Sequence, residues 1–209
     1  MAFSDYKNIA QAQTQFNIRY LEEEFIPPRE QQPSPQFLAE FEFNRANLDM
    51  FSSEGARAEI IIFPVLREAW KHYASRYSLF VQRYIASDAN LSGTPDYIIA
   101  TRSALGKTVL ELPLVVIAEA KKNDFEQGWG QCLAELVAAQ RLNRDPHFPV
   151  YGVVTDGNLW QFGKLAEDIL TKQRDDYTIS DWSRLFGALS YVLESIGQAE
   201  YKSQPADAK

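Results

Sequence analysis

The chain has 209 residues, 45% of them apolar and 13% aromatic, enough for a sizeable core within one ordinary domain. A net charge of −7 argues against a protein that coats nucleic acid through bulk positive charge. One cysteine, Cys132, leaves no internal disulfide framework and no Cys-rich zinc site, and His72 and His147 have no metal-site partner at useful spacing.

The acid is concentrated at the start. Residues 1–56 hold four Lys/Arg against nine Asp/Glu, so the remainder is near neutral and a local basic groove stays compatible with the total. Residues 1–55 read as an accessory arm and linker. Leu21 to Phe25 suggests a short helix, Ile26 to Pro35 an extended linker broken by four prolines, and Gln36 to Met50 a helix with Phe37, Phe41 and Leu48 free to dock. Ser53 is placed to cap a long helix from about 56 to 77, with Pro64 kinking it. Strands follow at 79–86 and 96–101 around a turn at 88–93. A short strand is expected at 108–112, then a central strand at 114–121. Asn123 and Glu126 fit a capping box for an amphipathic helix running to Leu142. Val150–Thr155 and Leu159–Phe162 form a hairpin around Asp156-Gly157, Ile169 and Leu170 sit in a last strand, and Ser180 or Asp181 caps a final helix to about Ile196. A main domain over 56–200 and a polar tail over 201–209 complete the division. The alternation of elements defines an α/β protein with a mixed sheet.

The stretch Val115-Val-Ile-Ala-Glu-Ala-Lys121 carries the chemistry. Side chains alternate along a strand, so Glu119 and Lys121 share a face with Cα atoms about 7 Å apart. A carboxylate and an ammonium at the end of a core strand are costly to bury unless they pair or meet a metal. Upstream, Thr94-Pro-Asp-Tyr97 puts an isolated Asp96 at the start of a neighbouring strand. Taken bare, these residues also fit a structural ion pair and a turn-capping Asp.

Pro95-Asp96, then Glu119-Ala-Lys121, then a helix, resembles the PD-(D/E)xK nuclease superfamily, whose fold is restriction-endonuclease-like. The segment Thr155-Asp-Gly-x-x-Trp-x-Phe162 is similar to the hairpin after this core in N-terminal nuclease domains of type I restriction-enzyme R subunits. The resemblance spans about residues 56–165 and implies an αβββαβ core, a mixed central sheet flanked by helices, here preceded by a helical and extended arm.

The resemblance implies Mg²⁺, with Mn²⁺ as substitute, held by Asp96, Glu119 and the Ala120 carbonyl. Lys121 would lie beside the attacking water and the scissile phosphate. The family often adds a carboxylate from the first helix, for which Glu59 is the candidate over Glu54 and Glu68. Gln127 and Gln131 share a helix face just after the motif strand, where contacts to nucleic acid are expected. Lys122 and Arg102 are candidates for phosphate contact.

Two functions follow. One is a metal-dependent nuclease hydrolysing DNA in restriction, defence or repair. The other is a catalytically silent module on the same fold, binding protein or nucleic acid, with the acidic arm as a protein-docking element. No Gly-rich phosphate loop is present, so a restriction role calls for a separate translocase and specificity partner. A homodimer is expected by analogy with relatives. With no secretory h-region and no apolar run of about eighteen residues, the expectation is a cytoplasmic chain that does not span a membrane.

Overall fold

A computed structural model describes residues 2–88, 91–121 and 124–203, with side chains as far as 196. A one-turn 3₁₀ helix, Phe3–Asp5, precedes α1 (Ile9–Phe16), β1 (Arg19–Glu23) and α2 (Pro35–Asn47). A continuous helical rod follows, made of α3 (Glu54–Arg57), a π-helical stretch (Ala58–Ile62) and α4 (Phe63–Lys71). Next come β2 (Tyr77–Val81), β3 (Ile85–Asp88), β4 (Leu91–Gly93), β5 (Tyr97–Arg102), β6 (Leu110–Ala120) and α5 (Phe125–Asn143). The chain ends with β7 (Val150–Thr155), β8 (Leu159–Ala166), β9 (Ile169–Gln173), β10 (Tyr177–Thr178) and α6 (Trp182–Ser203).

The main sheet runs β1-β9-β8-β7-β6-β5-β2, with β10 on β8. Strands β2, β5 and β6 form an antiparallel meander, and β7 joins β6 in parallel after the α5 crossover. Helix, three strands, helix and strand therefore recur in the αβββαβ order, within a mixed sheet covered by helices on both faces. One apolar layer lies between the sheet and the α2, α4 and α6 side, with Ile61, Val65, Val116, Phe162, Phe186 and Leu189. The other lies under α5 and the arm, with Ile98, Ile117, Trp129, Leu133 and Leu136.

Local chemistry explains where the sequence reading and the fold part. Ser53 does cap the first helix, its hydroxyl accepting from the Ala56 N–H at 3.0 Å. Pro64 has no N–H and would crowd the carbonyl four residues back. The preceding turn widens to π geometry, with Phe63 N–H bonded to the Ala58 carbonyl, and the rod continues. Residues 21–25 do not form a helix. Arg19–Glu23 pairs in parallel with β9 in an edge strand, because the β9 backbone offers more than a five-residue helix can. The expected break before Leu114 is also absent: β6 is one strand of 11 residues, and register shifts opposite its proline-bearing half absorb the missing donor of Pro113. The α5 cap is Asp124, whose carboxylate accepts from Gln127 N–H at 2.9 Å; Asn123 and Lys122 lie outside the described residues.

The arm is built into the molecule. Phe37 and Phe41 of α2 pack edge-on against Trp182, and Phe37 against Phe186 as well. Leu48 stays exposed. Gly130 of α5 lies so close to the Asn8 backbone that a Cβ there would sit 2.6 Å from the Asn8 nitrogen, so α1 can seat on α5 only because that position has no side chain.

Candidate active site

Antiparallel pairing of Tyr97 with Ala118 brings Asp96 opposite Glu119 at one end of the β5–β6 pair. Their carboxyls lie within hydrogen-bonding reach of each other. Asp96 Oδ2 accepts from the Ala120 N–H at 2.9 Å, which fixes the side chain across the strand end. Glu119 is 1% exposed, and its Oε2 is 3.3 Å from Lys121 Nζ. Lys121 N–H donates to the Thr155 carbonyl at 2.8 Å, extending the parallel β6–β7 ladder by one residue and aiming the side chain back along the Glu119 face. The three motif residues thus converge.

A fourth group joins them from α5. Glu135 is 0% exposed and lies within hydrogen-bonding reach of Glu119. Its Oε1 accepts from Gln131 Nε2 at 3.1 Å. Glu119 Oε1 and Glu135 Oε2 meet no conventional donor. Both facing groups are carboxyls, so a hydrogen bond between them requires one to carry a proton.

The electrostatics follow from burial. Desolvation first, then the Asp96 charge, raises Glu119 to about 7. Burial and the neighbouring Glu119 push Glu135 well above the usual carboxylate range. Burial also raises Asp96, against the pull of the Ala120 N–H and Lys121. Burial works against the charge on Lys121, but Glu119, Asp96 and Glu54 outweigh it, and the amine stays above its ordinary value.

The first-helix carboxylate whose field reaches the site is Glu54, which acts on both Asp96 and Lys121. Its helix is tied to the β7–β8 turn by Arg57, whose guanidinium donates to the Asp156 carbonyl at 2.8 Å. Glu59 is exposed and acts on Tyr97, whose hydroxyl donates to the Ala58 carbonyl. Of the two exposed first-helix carboxylates, Glu54 is the one whose charge acts on Asp96 and Lys121, while that of Glu59 acts on Tyr97.

Gln127 stands half-buried in the first turn of α5, and Gln131 is engaged with Glu135. Arg102 is removed from the site. It closes β5 at the opposite end from Asp96, about 20 Å along the strand. There its guanidinium donates to the Ala74 carbonyl. Sequence reasoning missed Glu135. The available signal was an acid four residues after Gln131, on the face of α5 that also carries Cys132 and Leu136.

The donor set suits a hard divalent cation. Two carboxyls on adjacent strands meet, and one keeps a buried oxygen without a donor. Among the described residues no three His, Cys, Asp or Glu side chains form a ready-made metal cage. Mg²⁺ commonly takes one or two carboxylates and completes its shell with water and phosphate oxygens. A cavity of about 240 Å³ lined by Ile26, Pro28, Arg29, Gln173, Asp175 and Arg184 includes none of these groups. Its two arginines are already paired with Glu194 and Asp175.

No protein-family model matches the chain, and no curated protein matches it. Among solved structures it aligns with the type IIG restriction endonuclease BpuSI, at a TM-score of 0.40 and 12% identity over 76% of this chain. The aligned part is 18% of that protein, so the chain spans under a fifth of its length. A likeness this slight carries no argument about the site. No described helix is long and apolar enough to cross a membrane.

Proposed function

We propose that this protein is a metal-dependent nuclease that hydrolyses DNA phosphodiester bonds. The observation that carries the reading is the meeting of Asp96, Glu119 and Lys121 at one strand end, with Lys121 Nζ 3.3 Å from Glu119 Oε2. Asp96, Glu119 and the Ala120 carbonyl would hold Mg²⁺ or Mn²⁺. When bound, the ion would supply Lewis-acid polarisation of the phosphate and a more acidic water.

The chain's own residues do the rest. Asp96 is anchored by the Ala120 N–H, so its free oxygen is fixed in direction before any ligand arrives. Lys121 stays protonated, and its ammonium is placed to orient a water or to meet charge developing on the phosphoryl oxygens. The link between β2 and β3 leaves the sheet beside Asp96, where Gln82 N–H donates to the Asp96 carbonyl at 2.8 Å. Arg83 and Tyr84 on that link are exposed, which gives a polynucleotide both a cation and an aromatic face to contact.

The test uses purified protein with duplex, single-stranded and branched DNA in Mg²⁺ or Mn²⁺, alongside calorimetric Mn²⁺ titration. Wild type binds Mn²⁺ and cuts at least one form. Asp96→Asn and Lys121→Met reduce cutting by about 10²-fold or more with thermal unfolding retained. Failure of wild type to bind Mn²⁺ and to cut any form overturns the proposal. The acidic surface of β1 favours a second reading, a silent nuclease-fold module that docks a basic protein segment, and Mn²⁺-independent capture of such a segment distinguishes it.

A further inference from the structure

We propose that Lys172 and Gln161 form a second phosphate-binding subsite, which holds a backbone phosphate of the DNA strand away from the scissile bond. The proposal rests on the nuclease reading of the site and deepens it. Three observations converge. The first is placement. Glu119, Val154 and Gln161 stand in one row across β6, β7 and β8, so Gln161 lies about 10 Å from Glu119 at the same end of the sheet. The row faces α5, whose Gly128 closes on Val154 and the Lys121 stem and whose Trp129 Nε1 donates to Gln161 Oε1 at 2.7 Å. The second is uncompensated charge. Lys172 Nζ is 3.3 Å from Gln161 Oε1 and 4.9 Å from the centre of the Trp129 ring, and no carboxylate among the described residues forms an ion pair with it. Glu22, directly opposite on β1, takes the Tyr20 hydroxyl instead. Burial pulls the Lys172 amine below its ordinary pKa despite the fields of Asp176 and Glu22. The third is free donors. Trp129 can only donate, so it fixes the Gln161 amide with its oxygen inward, and Gln161 Nε2 donates to nothing among the described residues.

A half-buried ammonium held only by an amide oxygen and a ring gains from an incoming anion. Its remaining N–H groups and the Gln161 amide suit a phosphate, whose oxygens accept several hydrogen bonds at once. A polynucleotide lying across this end of the sheet meets Arg83 and Tyr84 beside Asp96, then the motif residues, then Lys172 and Gln161. The pair fixes the path of the strand and reads no base. Both are positioning residues, since neither touches the reacting atoms.

The test measures binding of duplex, single-stranded and branched DNA by fluorescence anisotropy in Ca²⁺ over a salt series, with thermal unfolding alongside and cutting in Mn²⁺ as a separate readout. Lys172→Met keeps the stem and removes the charge. It is expected to weaken binding about five- to tenfold at about 0.1 M salt and to lower the slope of log affinity against log salt by about 1. Lys172→Arg is expected to keep the slope. Gln161→Glu keeps the acceptor for Trp129 and sets a carboxylate against Lys172, so it should lower the slope likewise, and it keeps the test decisive should Lys172→Met fail to fold. Lys164→Met, beside Phe25 on the other face of the sheet, should leave the slope unchanged. A lysine with a structural role alone would lower the melting midpoint and leave the slope as it is. An unchanged slope in Lys172→Met, or in Gln161→Glu if Lys172→Met does not fold, overturns the subsite, as does an equal loss in Lys164→Met. Wild type that cuts in Mn²⁺ while the slope stays unchanged overturns the subsite alone, and wild type that binds no DNA form overturns the nuclease reading with it.

Discussion

Glu119 stands at the meeting point of every interaction in the site, and its titration is visible from outside. Its ordinary carboxyl value is 4.5, and burial raises it to about 7 in the folded protein. Between those values the folded state binds the proton and the unfolded state does not. Stability from this group is therefore present at low pH and is lost as pH rises through about 7. In metal-free protein the contribution of Glu119 to the unfolding midpoint should decline from about pH 5 to pH 8. A divalent ion that displaces the proton should raise the midpoint at pH 8 and do little at pH 5. Thermal melts with Mn²⁺ or a chelator at both pH values check this, and a Glu119→Gln variant should lose the difference.

The same residue shows what one sequence can reveal. Strand alternation places Glu119 and Lys121 on one face, so those two were legible from spacing, while Asp96 entered through the resemblance and reaches them by the pairing of β5 with β6. Glu135 and Glu54 were not legible, because each reaches the site only through how its helix sits on the sheet. Glu59 was the candidate that the resemblance gave to the first helix, whereas the carboxylate whose charge acts on Asp96 and Lys121 is Glu54. Arg102 was near Asp96 in sequence, but a strand separates its two ends by its full length.

At the scale of the element, α5 does most of the positioning. Its N-terminal turn crosses β7 so closely that a Cβ at Gly128 would lie 2.6 Å from Val154 Cγ1 and 3.0 Å from Lys121 Cγ. The helix and the lysine stem share one gap, and a hydrogen fits where a methyl does not. Gly128→Ala should cost about 1–3 kcal/mol by overpacking and should displace Lys121 along with the helix. The expected result is a fall in cutting larger than the stability loss explains, read by comparing activity with the melting midpoint. The elements themselves were largely legible. The main departures, the β1 strand and the unbroken β6, occur where pairing with a distant strand overrides local preference. Neither β9 nor β5 can be seen from the residues next to those positions.

For the whole molecule, stability and the site are built at different places. The aromatic group of Phe37, Phe41, Trp182 and Phe186 joins the N-terminal arm to α6, across most of the chain's length. It lies in the apolar layer opposite the face that carries Glu119 and Glu135. Phe41→Ala should therefore destabilise the fold by about 3–5 kcal/mol in denaturant titration. Mn²⁺ affinity of the remaining folded fraction should be unchanged.

One border of the sheet has a bearing on how copies of this molecule treat each other. β1 offers backbone groups on its outer side with no described strand to receive them, yet its exposed side chains include Glu22 and Glu23, with Glu24 just beyond. A second copy approaching rim to rim brings like charges together before any ladder can form. The glutamates set like charge against like along this rim and so oppose edge-to-edge pairing between copies.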